Sequence, residues 1–173
     1  ASEPAKDTNQ IGNAGSCNLD VKCTSYDAES RSVAKMVFTK DGSTYLCTGT
    51  LMNDTRNSQT PYFLTAAHCI SSQSAASNLI TYWFFRSASC GSAPNFDPAA
   101  TRLSGGAELL YSRGLTDTTL LRLNARPPDN VVYAGSYFGP GVEPSVEVLG
   151  VHHPSGDLQK ASFGVVRGYV SCS

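Results

Sequence analysis

Tyr62-Phe63-Leu64-Thr65-Ala66-Ala67-His68-Cys69 is the stretch whose reading decides the fold. It begins as an apolar run and ends in two small alanines, a histidine and a cysteine. The pattern predicts a buried strand that delivers an imidazole to a place where the chain turns. The small residues let other backbone pass close to the ring. In an oxidising compartment the cysteine can clamp the turn covalently. A lone histidine at a strand end is structural by default, so a catalytic role needs support from elsewhere in the chain.

Working outward, strand-like runs recur at short intervals over 33–39, 44–52, 61–66, 79–85, 107–111, 118–123, 131–138, 146–152 and 162–170. They are rich in β-branched and aromatic residues and separated by Gly, Pro, Asn, Asp and Ser. Asp41-Gly42-Ser43 between two runs signals a hairpin. No long stretch has helical period; residues 67–72, just after His68, are the one plausible helical turn. The fold class is therefore all-β, antiparallel, as a sandwich or barrel. Pro127 and Pro128 cannot sit inside a central strand, which puts a boundary near 125–130. Six strand candidates precede it and three follow. Six can close a small barrel and three cannot. The division expected is an arm over 1–16, a first barrel over 17–125 and a partial second barrel over 126–173. The loop 86–106 is longer than most connections, so it is either functional or pinned. Tyr82, Trp83, Phe84 and Phe85 read as core rather than as a binding platform.

The 173 residues are 40% hydrophobic and only 16% charged, with 15 glycines and a net charge of -1. This suits a turn-rich exported domain. No basic field exists, so nucleic acid is not an expected partner. No apolar run approaches the ~18 residues that span a bilayer, so no membrane partner is expected. The start, Ala1-Ser2-Glu3-Pro4-Ala5-Lys6-Asp7, is polar; an exported form would already have lost its leader. Six cysteines permit three disulfides in about fifteen pairings. They lie beside turn residues and show no Cys-x-x-Cys spacing, so disulfides are expected and a structural metal is not. His152-His153 next to Pro154 has no carboxylate pair spaced to join it as a metal site. No cofactor is expected.

Leu64-Thr65-Ala66-Ala67-His68-Cys69 resembles the catalytic-histidine motif of the trypsin/chymotrypsin-like serine peptidases. Asp117, in Thr116-Asp117-Thr118-Thr119-Leu120-Leu121-Arg122-Leu123, resembles their aspartate motif, and histidine before aspartate is their chain order. More narrowly, several segments are similar in order to the secreted bacterial lysyl endopeptidases: Gly15-Ser16-Cys17-Asn18-Leu19-Asp20-Val21-Lys22-Cys23, Cys47-Thr48-Gly49-Thr50-Leu51, the His68 stretch, Tyr82-Trp83, Cys90, the Asp117 strand and Val151-His152-His153-Pro154. The resemblance implies a trypsin-like double β-barrel that is secreted and acts on a peptide or protein substrate. It implies His68 as general base and Asp117 as the carboxylate that orients it. The apolar run after Asp117 suggests that this carboxylate enters a largely dry region. The resemblance also implies His152 and His153 near the substrate cleft; by their residues alone they read as a polar strand end.

By the same resemblance Cys47 pairs with Cys69 and Cys23 with Cys90, the latter pinning the long loop. The family's counterpart of Cys17 bridges to a carboxyl-terminal part, so Cys17 with Cys172 is the remaining candidate pair, or Cys172 is unpaired. The mature start of that family corresponds to Gly12, which would make residues 1–11 the tail of a propeptide.

The chain departs from the family in its nucleophile. The expected Gly-x-Ser-Gly lies well beyond the His-His-Pro segment and is absent from residues 1–173. Ser104 follows Arg102 by two positions and lies between His68 and Asp117, Ser136 has Tyr137 after it, and Ser155 has His153 where the motif needs glycine; none fits. The expectation is a serine endopeptidase present as a fragment without its nucleophile. A separate carboxyl-terminal segment or a second copy of the chain would then complete the second barrel. A catalytically inactive secreted module that binds peptides or a protein partner is the alternative.

Overall fold

A computed structural model describes residues 11–170 of the chain. The chain runs through β1 (Leu19–Asp20), α1 (Asp27–Ser30), β2 (Val33–Lys40), β3 (Ser43–Met52), β4 (Tyr62–Thr65), α2 (Gln73–Ser77), β5 (Ile80–Trp83), β6 (Thr101–Leu103), β7 (Ala107–Arg113), β8 (Thr118–Leu123), β9 (Glu147–His152) and β10 (Lys160–Val165), with short 3-10 turns at Val21–Cys23 and Pro154–Gly156. Seven strands form one antiparallel sheet in the order β6-β5-β2-β3-β4-β8-β7, and three form another, β1-β10-β9.

The Asp41-Gly42 hairpin forms as its residues dictate. Both have positive φ, 51° and 78°, the mirror-image turn whose twist matches two right-twisted strands, and Lys40 pairs with Ser43 across it.

The ladder of the large sheet leaves β6 and β7 as its two edges, and these are consecutive in the chain. Ser104-Gly105-Gly106 turns the corner between them. β6 pairs with β5 and β7 with β8, so a single bent strand reaches both edges and curls the sheet round its core. The six runs expected are β2, β3, β4, β5, β7 and β8, and β6 is a seventh strand that the sequence did not mark. Gly106 makes the corner possible: its φ is +69°, and a Cβ there would lie 2.2 Å from the Ser77 carbonyl oxygen. Inside the curl, Phe63 meets Trp83 edge-on at 5.9 Å, with Met36, Leu51, Ile70 and Leu121 all fully buried around them. Gly49 sits where a Cβ would fall 2.2 Å from the Phe63 ring, so the glycine is what lets that ring fill the centre.

The aromatic run 82–85 is core, as read: Trp83 and Phe85 are 0% and 1% exposed. The structure corrects three other expectations. Residues 131–138 are not a strand. They make one isolated parallel bridge, Met52 with Ala134, and lie across the barrel, with Ala134 N–H on the Leu51 carbonyl and Asn53 N–H on the Ala134 carbonyl. Residues 67–69 form a turn, and the helix comes later, as α2, capped by the Ser72 hydroxyl on the Ala75 N–H. The loop after β5 hides β6, and it is pinned as expected. The Cys23–Cys90 bridge holds one end. Arg86 holds the other from a nearly buried position, with Nε on Asp97 at 3.1 Å and Nη1 on Asp27 at 2.9 Å.

The second sheet is small. β10 pairs along its length with β9, and β1 adds two residues on its other side. The amino-terminal segment therefore crosses to the second sheet before entering the barrel. Asn18 fastens it there: its Oδ1 accepts from His152 Nε2 at 2.9 Å and from the Ser162 hydroxyl at 3.0 Å.

Candidate active site

β4 carries the chain to Thr65, whose hydroxyl donates to the Thr48 carbonyl of β3 at 2.9 Å. Ala66 to Cys69 then turn, with the N–H groups of Cys69 and Ile70 both on the Ala66 carbonyl. The turn is fixed from three sides. Ile70 is fully buried. The Thr119 hydroxyl of β8 donates to the Ile70 carbonyl at 2.7 Å. Cys69 is bridged to Cys47 on β3 with a Cα separation of 6.4 Å. His68 stands on a rim that the barrel and the disulfide hold rigid.

Asp117 comes from the facing turn between β7 and β8, closed by its own N–H on the Gly114 carbonyl. It has a φ of +47°, a left-handed conformation that aspartate tolerates better than most residues. Its two oxygens grip one residue twice: Oδ1 accepts the His68 backbone N–H at 2.8 Å and Oδ2 lies 2.6 Å from His68 Nδ1. An ionised carboxylate only accepts, so Nδ1 carries the proton, and Nε2 of the neutral ring is a free acceptor pointing elsewhere. The backbone N–H of His68 first and its ring second hold the Asp117 carboxyl below its ordinary value, against the opposing effect of burial.

The carboxylate is not in a dry region. The Asp117 and His68 side chains are 50% and 72% exposed. The apolar strand begins after Asp117, so the aspartate itself stays on the rim. Its ionised form is secured by hydrogen bonds instead.

Among the described residues no other side chain hydrogen-bonds to His68, Ser104, Ser136 and Ser155 included. Cys47, His68 and Cys69 bring ligand-type atoms within 4.8 Å of one another, but both sulfurs are spent in the disulfide and are not metal ligands. Cys17 is exposed and forms no disulfide among the described residues; Cys172, its candidate partner, lies outside them. His153 is not a polar strand end. It is 5% exposed, its N–H donates to the Thr48 hydroxyl and its Nδ1 donates to the Asp157 carbonyl, both at 3.0 Å. A groove of roughly 620 Å³ separates the two sheets, walled by Tyr26, Val33, Thr50, Val132, Leu149 and Val151; it does not include His68 or Asp117.

Sequence reasoning missed Asp157, Asn18 and Thr48, which tie the second sheet to the barrel and the amino-terminal segment. Each is a single polar residue whose partner lies 100 or more positions away, and no local pattern marks such a pairing.

A curled antiparallel barrel carrying a histidine on one turn and an aspartate on the next is the architecture of the trypsin-like serine proteases, and solved structures agree. An HtrA-type protease, solved with a tripeptide, matches with a TM-score of 0.59 and 18% identity, over 85% of this chain and 40% of that one. The serine endoprotease from Yersinia pestis matches with a TM-score of 0.57 and 19% identity, over 84% and 45%. At such identities the likeness is one of fold. The family model described as lysyl endopeptidase, C-terminal domain, matches residues 11–173, and the chain belongs to that family. The lysyl endopeptidase of Pseudomonas aeruginosa is 41% identical over 167 residues, which is 90% of this chain and 36% of that protein. The chain thus spans about a third of the length of this relative.

Proposed function

We propose that this chain carries the general base and orienting acid of an exported serine endopeptidase whose nucleophile lies on polypeptide outside residues 1–173. The observation that carries the reading is the double grip of Asp117 on His68. It fixes the ring and places its proton on Nδ1, leaving Nε2 to take a proton. In the reaction Nε2 removes the serine hydroxyl proton as the oxygen attacks the scissile carbonyl. Asp117 stabilises the resulting imidazolium without itself being protonated, and Nε2 then gives the proton to the leaving amine. The nucleophile and the donors for the oxyanion come from the completed second barrel. The walls of the primary specificity pocket come from there too, so a preference for lysine is not assigned to these residues. Export fits the two disulfides, which persist in an oxidising compartment.

The test is labelling with a fluorophosphonate. Residues 1–173 alone are expected to stay unlabelled and to leave peptides intact. A chain extended through a segment with Gly-x-Ser-Gly is expected to label once, and His68→Ala to abolish the label. Stoichiometric, His68-dependent labelling of residues 1–173 alone would place the nucleophile inside this chain, with Ser155 the first residue to examine. Peptide binding without labelling by the extended chain would favour the inactive binding module.

A further inference from the structure

The turn that carries His68 is tied to the barrel in two directions. Toward β3 run the Cys69–Cys47 bridge and the Thr65 hydroxyl on the Thr48 carbonyl. Neither reaches β8, the strand that follows Asp117. The side-chain tie to β8 comes from Thr119, which is 0% exposed and stands opposite Thr65 in the end rung of the β4–β8 ladder. Its hydroxyl donates to the Ile70 carbonyl at 2.7 Å. A hydroxyl has one proton to give, so in the 2.8 Å contact with the Ser112 hydroxyl it is Ser112 that donates. The Thr119 oxygen is thus held on both sides.

Two cross-links therefore join the same two segments. Asp117 reaches His68 and, two residues further along both segments, Thr119 reaches Ile70; each link spans 49 positions. The outer link is open to solvent, its two side chains 50% and 72% exposed. In water such a pair gains little over the entropy of holding it together. The inner link lies in the low-dielectric interior, where a hydrogen bond is stronger and a bare Ile70 carbonyl is costly. The inner link is the one able to fix the distance, and the outer link is the one that needs it fixed. Both the 2.6 Å contact of Oδ2 with Nδ1 and the φ of +47° at Asp117 persist only where their surroundings hold them.

We propose that Thr119 is a positioning residue for the general base: its hydroxyl sets the separation of the two turns at which Asp117 meets His68 Nδ1. This rests on the reading of His68 as the base, and adds to it a residue whose hydroxyl bonds to neither the ring nor the carboxylate. Without that hydroxyl the His68 turn can slip from β8 while its ties to β3 stay intact. The ring then leaves Asp117 for part of the time and loses its fixed tautomer.

The experiment needs no nucleophile and uses residues 1–173 with nitrogen-labelled histidine. The readout is the rate at which the His68 Nδ1 proton exchanges with water, followed by NMR. Thr119→Val keeps the shape and removes the hydroxyl. It is expected to speed that exchange about five- to tenfold, the change that loss of one buried hydrogen bond makes in the balance between a closed and an open turn. Thr119→Ser, which restores the donor, is expected to stay within about twofold of the parent. Thr81→Val is the control for general loosening. It removes another buried hydroxyl of the barrel, the acceptor of Trp83 Nε1 at 2.9 Å, and is expected to leave the His68 rate unchanged. A second arm needs no variant at Thr119. In Asp117→Asn the inner link remains, so the backbone N–H groups of Cys69 and Ile70, both on the Ala66 carbonyl, are expected to exchange as slowly as in the parent. An unchanged Nδ1 rate in Thr119→Val, an equal acceleration in Thr81→Val, no rescue by serine, or faster exchange of the two turn amides in Asp117→Asn would overturn the proposal. If Thr119→Val does not fold, the turn amides of Asp117→Asn decide alone. Failure of His68 as the base would show separately, as an extended parent chain that takes no fluorophosphonate label while these exchange rates hold.

Discussion

Acidification from pH 6.5 to 4.5 should destabilise the protein through one buried imidazole. His153 is buried against Phe85, their ring centres 6.3 Å apart. Its Nε2 is buried with no partner. Burial pulls its pKa down from 6.5 to about 3; the Asp157 carbonyl on Nδ1 pulls the other way, and the charges of Lys35 and His152 add to the lowering. The sign follows from proton counting. Above pH 6.5 the ring is neutral in both states and the contribution is fully favourable. Between pH 6.5 and about 3 the unfolded chain holds a proton that the folded one refuses, so stability falls as pH falls. The slope is about half of its limiting value at pH 6.5 and approaches about 1.4 kcal/mol per pH unit below it, hence a loss of about 2.3 kcal/mol from pH 6.5 to 4.5. The lowered carboxyls of Asp54 and Asp117 begin to matter only below their ordinary value near 3.8, outside this window. The assay is urea unfolding at several pH values for the parent and for His153→Asn, which keeps an amide donor for the Asp157 carbonyl and cannot titrate. The variant starts less stable, but the gap should shrink by 2–3 kcal/mol as the pH falls. Parallel curves would mean that His153 protonates freely in the folded state, and the argument from its burial would be wrong.

Gly106→Ala forces a left-handed residue and a backbone clash with Ser77 and should cost about 2–4 kcal/mol by chemical unfolding. Peptide mapping without reduction should return Cys23–Cys90 and Cys47–Cys69; their loops, with sequence separations of 67 and 22, make each bridge worth about 3–4 kcal/mol on a loop-entropy account. Asp117→Asn should leave the fold intact and remove the protected Nδ1 proton of His68 from the low-field proton NMR spectrum.

Much of the barrel was legible because its physics is local. The runs over β2, β3, β4, β5 and β8 announce strands by composition, and Asp41-Gly42 announces its hairpin. His68 and Asp117 were legible as motifs, and their meeting across 49 positions follows from the barrel pairing β4 with β8. What stayed hidden had no local signature. β6 is three residues inside a loop with Pro94, Pro98 and the Gly105-Gly106 pair. The run 131–138 looks like a strand because Val131 and Tyr133 are apolar, but they pack on the barrel core from a linker. The dryness expected round Asp117 failed because a residue one step before a buried strand still belongs to the rim.

The proposed role of Asp117 is to make His68 a base. In the chain extended with its serine segment, the rate of peptide hydrolysis by Asp117→Asn should fall about 10⁴-fold at neutral pH with substrate binding little changed, because the amide imposes the wrong tautomer on the ring. A variant that keeps its rate within tenfold of the parent would contradict the account and leave the short His68–Asp117 contact as a structural bond.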